Sequence, residues 1–484
     1  MKSSKTHQII IKCMSLLFFK KGLYALLCIC CLVPSFIKAQ GYYNDENFGN
    51  RSILLSGNVT GSVDDLGLTY YNPARLAIIE EPNFTISARA YQLGSIKVEN
   101  VFGRDNKLSQ SKFGGLPSLA AATFKVGKPD KHKFAYAVLS RKQSKINLGF
   151  AREVDAAIVE EFDNVDRFIG ELNLSEDETD EWFGFSWATK LKENLSVGVS
   201  TFVSVYDFSG SYKLDYSRLD TTTDVAAYNN EIRYGQKSYG VFWKVGLAWQ
   251  VAKFDLGLNI DVPYLEVFGD GNLKYKEILA GIGDGNDIFE FATRSDLESK
   301  RKEPIGVAFG AGFPLGKNKI HLKVDWHGGL KEYDRLVVPV IDDSGEVLSF
   351  SFKEELRPVI NFGLGAEFYL GEKVGLYMSA ATDFSPVVSN ANIFDLITKE
   401  NQDTNFDVDY YHFGTGVQLK LSWAQLVLGA TYTTASTTFE RPIAFPDPEI
   451  EIPNNDDPAR VTLNRWRFIL GLEIPIFGKK VEIN

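Results

Sequence analysis

The sequence predicts an all-β fold: a transmembrane, antiparallel, up-and-down β-barrel of about fourteen strands with an N-terminal plug segment. Three observations lead there. Apolar residues alternate with polar or small ones in run after run, as at Ile305, Val307, Phe309, Ala311 and Phe313 with Gly306, Ala308, Gly310 and Gly312 between them. A period of two means a strand with two unlike faces. Many runs exceed the five or six residues of globular strands and suit the ~9–11 needed to cross a bilayer on a tilt. Short turns and long polar loops also alternate along the chain, the pattern of a barrel with periplasmic turns and extracellular loops.

Composition agrees with a folded chain of this kind. The 484 residues carry 52 basic and 62 acidic side chains, a formal charge of -10, with 44% hydrophobic residues, which excludes wholesale disorder. An acidic balance argues against nucleic acid as a partner, because phosphate binding needs a concentrated basic face.

Residues 1–40 read as a signal peptide. Lys2, Lys5, Lys12, Lys20 and Lys21 precede an apolar run from Gly22 to Phe36, and cleavage is expected beside Ala39 or Gln40. The run is shorter than the ~20 residues that span a bilayer as a helix, which weighs against an anchor. All four cysteines (Cys13, Cys28, Cys30 and Cys31) fall inside this leader. The chain beyond it therefore has neither a disulfide framework nor a Cys-based metal site. Six of the basic residues also fall there, leaving 46 against 62 acidic ones, or -16.

Residues 41–82 alternate poorly and hold Gly57, Gly61, Gly67 and Pro73, so they read as the plug segment. The barrel is expected over residues 83–484. Strands are placed near 83–98, 116–127, 132–153, 181–192, 194–217, 231–251, 253–276, 301–315, 318–337, 354–371, 373–388, 406–421, 424–440 and 460–477. Parity within each strand fixes which side chains turn inward. On that basis His321, Lys323, Asp325, His327, Glu367, His412, Arg465 and Arg467 face the lumen. A lumen of mixed sign suits internal pairing with a plug better than an open ion pore. Inward glycines, among them Gly246, Gly310, Gly363 and Gly414, leave room for a plug to approach the wall.

In the loop 155–180, Ile158, Val159, Phe162, Val165, Ile169 and Leu172 recur at spacings of three and four, which predicts an amphipathic external helix. Enzyme patterns are weak. Gly184-Phe185-Ser186-Trp187-Ala188 lies on a strand and lacks the closing glycine of a nucleophile elbow. His321, Asp325 and His327 share one strand face, a pattern that lumen packing explains as well as a metal does. No catalytic residue, cofactor or metal site is expected.

The stretch Gly61-Ser62-Val63-Asp64-Asp65-Leu66-Gly67-Leu68-Thr69-Tyr70-Tyr71-Asn72-Pro73-Ala74-Arg75-Leu76 carries a resemblance. It is similar to the FadL-type family of outer-membrane transporters for hydrophobic compounds, together with related PorV-like barrels of type IX secretion. In that pattern an acidic pair precedes a tyrosine-rich Asn-Pro-Ala segment, matched here by Asp64, Asp65, Tyr71, Asn72, Pro73 and Ala74; Arg75 stands where the family usually has glycine. The resemblance implies passive passage of hydrophobic small molecules such as long-chain fatty acids through a plugged barrel in the outer membrane of a Gram-negative cell. The loop residues Ile158, Phe162, Val165 and Ile169 would then form the groove where an apolar ligand gathers. Expected partners are outer-membrane lipid, the hydrophobic ligand and, during biogenesis, the barrel-insertion machinery. The alternative is a non-transporting barrel that serves as an adaptor of a secretion system.

Overall fold

A computed structural model describes residues 43–79, 83–99, 107–124, 131–155, 165–220, 225–281, 287–340, 349–388, 407–439 and 459–475. The leader expected over 1–40 lies outside these residues, as do Ile158 and Phe162.

Among the described residues, strands β1 (Asn83–Glu99), β2 (Lys107–Phe124), β3 (His132–Asp155), β4 (Val165–Lys192), β5 (Leu195–Asp220), β6 (Val225–Val251) and β7 (Phe254–Asp261) form the first half of a wall. After β8 (Leu265–Ala280) and β9 (Ile288–Leu297), the wall resumes with β10 (Gly306–Leu315) and β11 (Asn318–His327). Beyond the hairpin β12 (Leu330–Leu336) and β13 (Phe352–Leu356), it finishes with β14 (Val359–Leu370), β15 (Val374–Asp383), β16 (Tyr410–Lys420), β17 (Gln425–Phe439) and β18 (Ala459–Pro475). β18 pairs back onto β1, Asn83 opposite Pro475, so fourteen antiparallel strands close a cylinder with β8, β9, β12 and β13 outside the ring.

The two faces differ as a membrane requires. On β6, Tyr239, Val241, Trp243, Val245, Leu247 and Trp249 turn outward, while Ser238, Gly240, Phe242, Lys244, Gly246 and Ala248 are buried inside. From Tyr239 to Trp249 the strand climbs about 34 Å, or roughly 25 Å once tilted, matching the apolar band of an outer-membrane barrel with its aromatic edges. Exposed Phe309, Leu322, Val324, Phe362, Leu364, Phe413, Phe468 and Leu470 continue that band around the wall. The short turns lie at one end, where Gly316 (φ +66°) and Gly371 (φ +70°) take the left-handed backbone conformation.

The strand plan departs from expectation in several places. The run expected over 253–276 is two strands. Val262-Pro263-Tyr264 interrupts it, because Pro263 offers no N–H to a ladder. β7 stays in the wall between Lys244–Val251 of β6 and β10, whereas β8 climbs beside Ala227–Val241 of β6. Likewise Gly328-Gly329 separates β11 from β12, and Arg357-Pro358 separates β13 from β14. The helix expected between 158 and 172 is corrected over 165–172, which is strand β4, paired with β3 on one side and β5 on the other. Leu172 and Leu174 are both buried, so the period that matters there is two, set by tertiary pairing over local spacing. β3 to β6 are 24 to 28 residues long, so they run on above the membrane band and enclose an upper core with Tyr212, Leu214, Ile232, Tyr275, Phe350 and Phe352.

One seam in the wall is short. The β2–β3 ladder extends only from Phe124 opposite Phe134 to Leu119 opposite Leu139. Above it β2 pairs with β1 as far as Lys107, β3 pairs with β4 as far as Asp155, and no β2–β3 pair forms among the described residues. Pro117 stands just above the last pair and lacks an N–H, and the β1–β2 register shifts between Ser87 and Ala88.

Candidate functional site

Residues 43–79 thread the lumen. A helical turn at Arg51–Leu54, another at Leu68–Tyr71 and a 3-10 turn at Pro73–Ile78 pack Phe48, Leu54, Leu66, Leu68 and Leu76 against Leu119, Trp182, Phe202 and Phe242 of the wall. Wall glycines make the approach close. A Cβ on Gly198 would lie 2.6 Å from the Ala74 nitrogen, and Gly61 and Gly310 meet backbone to backbone.

The motif residues hold the segment's shape. Asp65 is buried and accepts hydrogen bonds from the backbone N–H groups of Arg51 (2.7 Å), Ser52 (2.9 Å) and Gly67 (3.0 Å) and from the Ser52 hydroxyl (2.8 Å). Asp64 is exposed and pairs with Arg51 at 2.6 Å. The Tyr71 hydroxyl accepts from the Phe48 N–H and donates to Asn47. Asn72 is extended, as the residue before a proline prefers. Its Oδ1 accepts from the Ala74 N–H to cap the 3-10 turn, while its amide donates to the carbonyls of Thr60 and, on the wall, Leu247. Pro73 opens that turn where no N–H is needed, and the Ala74 carbonyl accepts from Ser196 of β5.

The inward-facing charges of the wall meet this segment at several points. His321 contacts Ser62 (Nδ1 to Oγ, 2.6 Å) and Glu367 (Nε2 to Oε1, 3.0 Å). Lys323 and Asp325 both bind the Asn44 side chain, and His327 joins Asp325 and stacks on Tyr43 at 3.6 Å. Asp383, near His412, accepts from the backbone N–H groups of Tyr43 and Asn44. Arg465 pairs with Asp45, and Arg467 pairs with Glu46, which also holds Arg89 at 2.8 Å. Burial opposes ionisation of Asp45, but the guanidinium groups of Arg465 and Arg467 overcome it and hold the carboxyl well below the usual range. Because His321 and His327 belong to different clusters, they do not converge on a metal; no group of three or more His, Cys, Asp or Glu residues is placed to hold one among the described residues.

Of the residues expected to form the ligand groove, Ile158 and Phe162 lie outside the described residues. Val165 and Ile169 lie on β4, opposite Asp220 and Ser217 of β5, and Ile169 is exposed.

Above the threaded segment lies a cavity of about 250 Å³. Gln92 and Ile96 of β1 and Gln143, Ser144 and Ile146 of β3 line it, so it abuts the unpaired seam. Tyr206, Phe208 and Tyr333 give it aromatic surface, and Arg335 and Glu354 give it charge. Its floor holds residues that sequence reasoning missed. Arg141 pairs with Asp180 (3.2 Å) and, through both terminal nitrogens, with Glu303; Arg301 reaches Asp180 (2.7 Å) and Glu303 (2.6 Å). Burial opposes an ionised Glu303, yet Arg141 and Arg301 hold its carboxyl below its ordinary value. The Arg301 guanidinium also lies over Tyr206 at 4.1 Å. These four charges are 39 or more residues apart, save Arg301 and Glu303, so sequence spacing does not signal them.

No protein-family model matches the sequence, and no curated protein matches it. Solved structures do. The chain is similar to a Pseudomonas aeruginosa FadL homologue (12% identity, TM-score 0.57). It is also similar to the toluene transporter TodX of P. putida (10%, 0.53) and the toluene transporter TbuX of Ralstonia pickettii (13%, 0.53). Each comparison covers 90% of this chain and 100% of the other. At such identities the likeness is one of fold, and the chain has the FadL-type outer-membrane barrel fold.

Proposed function

We propose that this barrel is an outer-membrane channel for small hydrophobic molecules, which reach the lumen from the side and pass inward down their gradient once the N-terminal segment shifts. The unpaired seam above Leu119 and Leu139 carries the reading, because it lies beside the 250 Å³ cavity. Toluene transport by two proteins of the same fold supports the ligand class. The lining is aromatic and charged together, so a ligand with an apolar body and a polar end fits it better than a bare hydrocarbon. Long-chain fatty acids meet that description.

Uptake of labelled fatty acid and of toluene into proteoliposomes tests this, alongside Gln143→Trp and Ser144→Trp variants that crowd the seam. Uptake above empty vesicles that these variants reduce is the expected result; flux equal to empty vesicles removes the reading. A secretion adaptor is the second reading, and one observation favours it. Phe289 and Phe291 stand 78% and 55% exposed on β9, above the wall, where a protein partner would cover them.

A further inference from the structure

We infer that residues 298–305, the connection between β9 and β10, form a gate of their own, separate from the N-terminal segment, with the Arg141–Glu303 ion pair as its latch. The inference rests on the lumen being the permeation path.

The lumen holds a second cavity of about 50 Å³ beneath the first, lined by Tyr70, Trp182, Phe242, Lys244 and Ala308. Tyr43, Arg141, Glu303 and Pro304 line both cavities, so these four side chains are the partition between them. Two of the four come from the 298–305 connection, one from β3 and one from the threaded segment. A molecule moving from the upper chamber to the lower one must part Glu303 from Arg141.

The connection is built differently from the wall. It makes no continuous ladder. Scattered backbone bonds tie it at Glu298–Val337, Lys300–Arg335, Glu303–Tyr264 and Ile305–Gly328, and side chains hold the backbone between them: Glu266 accepts from the Arg301 N–H (3.0 Å), Gln236 donates to the Lys300 carbonyl (2.9 Å), and the Tyr333 hydroxyl accepts from the Lys302 N–H (3.2 Å). Such bonds exchange for water one at a time, whereas a wall strand opens only by losing a whole ladder. Arg141, Asp180, Arg301 and Glu303 together sum to zero charge, and Arg141 and Arg301 both keep Asp180 when Glu303 leaves. Swinging Glu303 toward the upper cavity leaves two guanidiniums sharing one carboxylate, so each keeps an anion in reach and the penalty for opening the buried pair is lowered.

Thiol accessibility tests this on the full chain, because all native cysteines lie at or before Cys31. Ala308→Cys reports on the lower chamber and Ser144→Cys on the upper one. A membrane-impermeant methanethiosulfonate is added from the loop side of reconstituted protein, with heat-modifiable electrophoretic migration confirming a folded barrel. Each reporter is read with Glu303 intact, with Glu303→Gln, which keeps the side-chain size, and with Glu303→Ala. Ser144→Cys should react equally in all three backgrounds. Ala308→Cys should be slow with Glu303 and faster by roughly one to two orders of magnitude without its charge, the scale of charge-assisted bonds released from a closed local state. The gate is overturned if Ala308→Cys reacts at one rate in all three, or already matches Ser144→Cys with Glu303 in place. Neither result depends on the transported ligand, so a failed uptake assay and a failed gate are told apart.

Discussion

Replacing Asp65 by Asn removes one negative charge and changes the side-chain volume little, yet the structure makes it a severe change. Each carboxylate oxygen of Asp65 accepts two hydrogen bonds: Oδ2 from the N–H groups of Arg51 and Ser52, Oδ1 from the Ser52 hydroxyl and the Gly67 N–H. An amide has one oxygen and one NH2: at the Oδ2 position the NH2 confronts two backbone donors, and at the Oδ1 position it confronts the Gly67 N–H while the Ser52 hydroxyl turns to accept, in a site that is 1% exposed. One buried donor left without an acceptor costs about 1–3 kcal/mol, and the bonds kept lose the carboxylate's charge at about 1 kcal/mol together, which gives a loss of about 2–4 kcal/mol. The neighbouring Asp64→Asn breaks a half-exposed pair worth about 1 kcal/mol or less. Amide hydrogen exchange in the detergent-solubilised barrel separates the two. The Ser52 and Gly67 amides should exchange roughly 30- to 1000-fold faster in Asp65→Asn, with the wall unchanged. Protection equal to wild type in Asp65→Asn, or an equal effect from Asp64→Asn, would refute the reasoning.

Val245→Arg sets a charge near the middle of the lipid-facing band of β6 and should destabilise the folded barrel by about 2–4 kcal/mol in a bilayer titration, whereas Lys237→Arg, above that band, should be near neutral. Gly310→Val drives a side chain into the Gly61 backbone; a loss of about 1–3 kcal/mol, read as protease sensitivity of the N-terminal segment, is expected. Glu46→Gln leaves Arg89 and Arg467 facing each other without their shared carboxylate, a change worth about 3–5 kcal/mol by thermal unfolding. The Glu303 carboxyl is depressed below its ordinary 4.5, so its stabilising effect is complete above that value and lost as pH falls through the lower, native one. Protection factors within 298–305, with the intrinsic pH dependence of amide exchange divided out, should accordingly stay flat from neutral pH to about 5 and fall only in stronger acid.

The outward face was legible because lipid imposes a strict period of two on one side of every crossing, as from Tyr239 to Trp249. The corner at Pro263 was not, since alternation resumes at once on β8 and nothing local says that β8 has left the ring. Val165, Ile169 and Leu172 fit a helical spacing by coincidence, and pairing with β3 and β5 decides 165–172 instead. Motif residues such as Asp65 and Asn72 announced a bent segment through residue type. Arg301 and Glu303 stood at the charged start of the strand expected over 301–315, where parity names no partner, and their partner Asp180 lies over a hundred residues away in sequence. Only the fold brings them together.

The most direct test labels each position from 239 to 249 with a nitroxide, one at a time, in the reconstituted barrel. Odd positions should collide with dissolved oxygen and ignore a water-soluble relaxant, while even positions should be shielded from both by the threaded N-terminal segment. Equal exposure of both sets to the aqueous relaxant would contradict a lipid-facing cylinder with a filled interior.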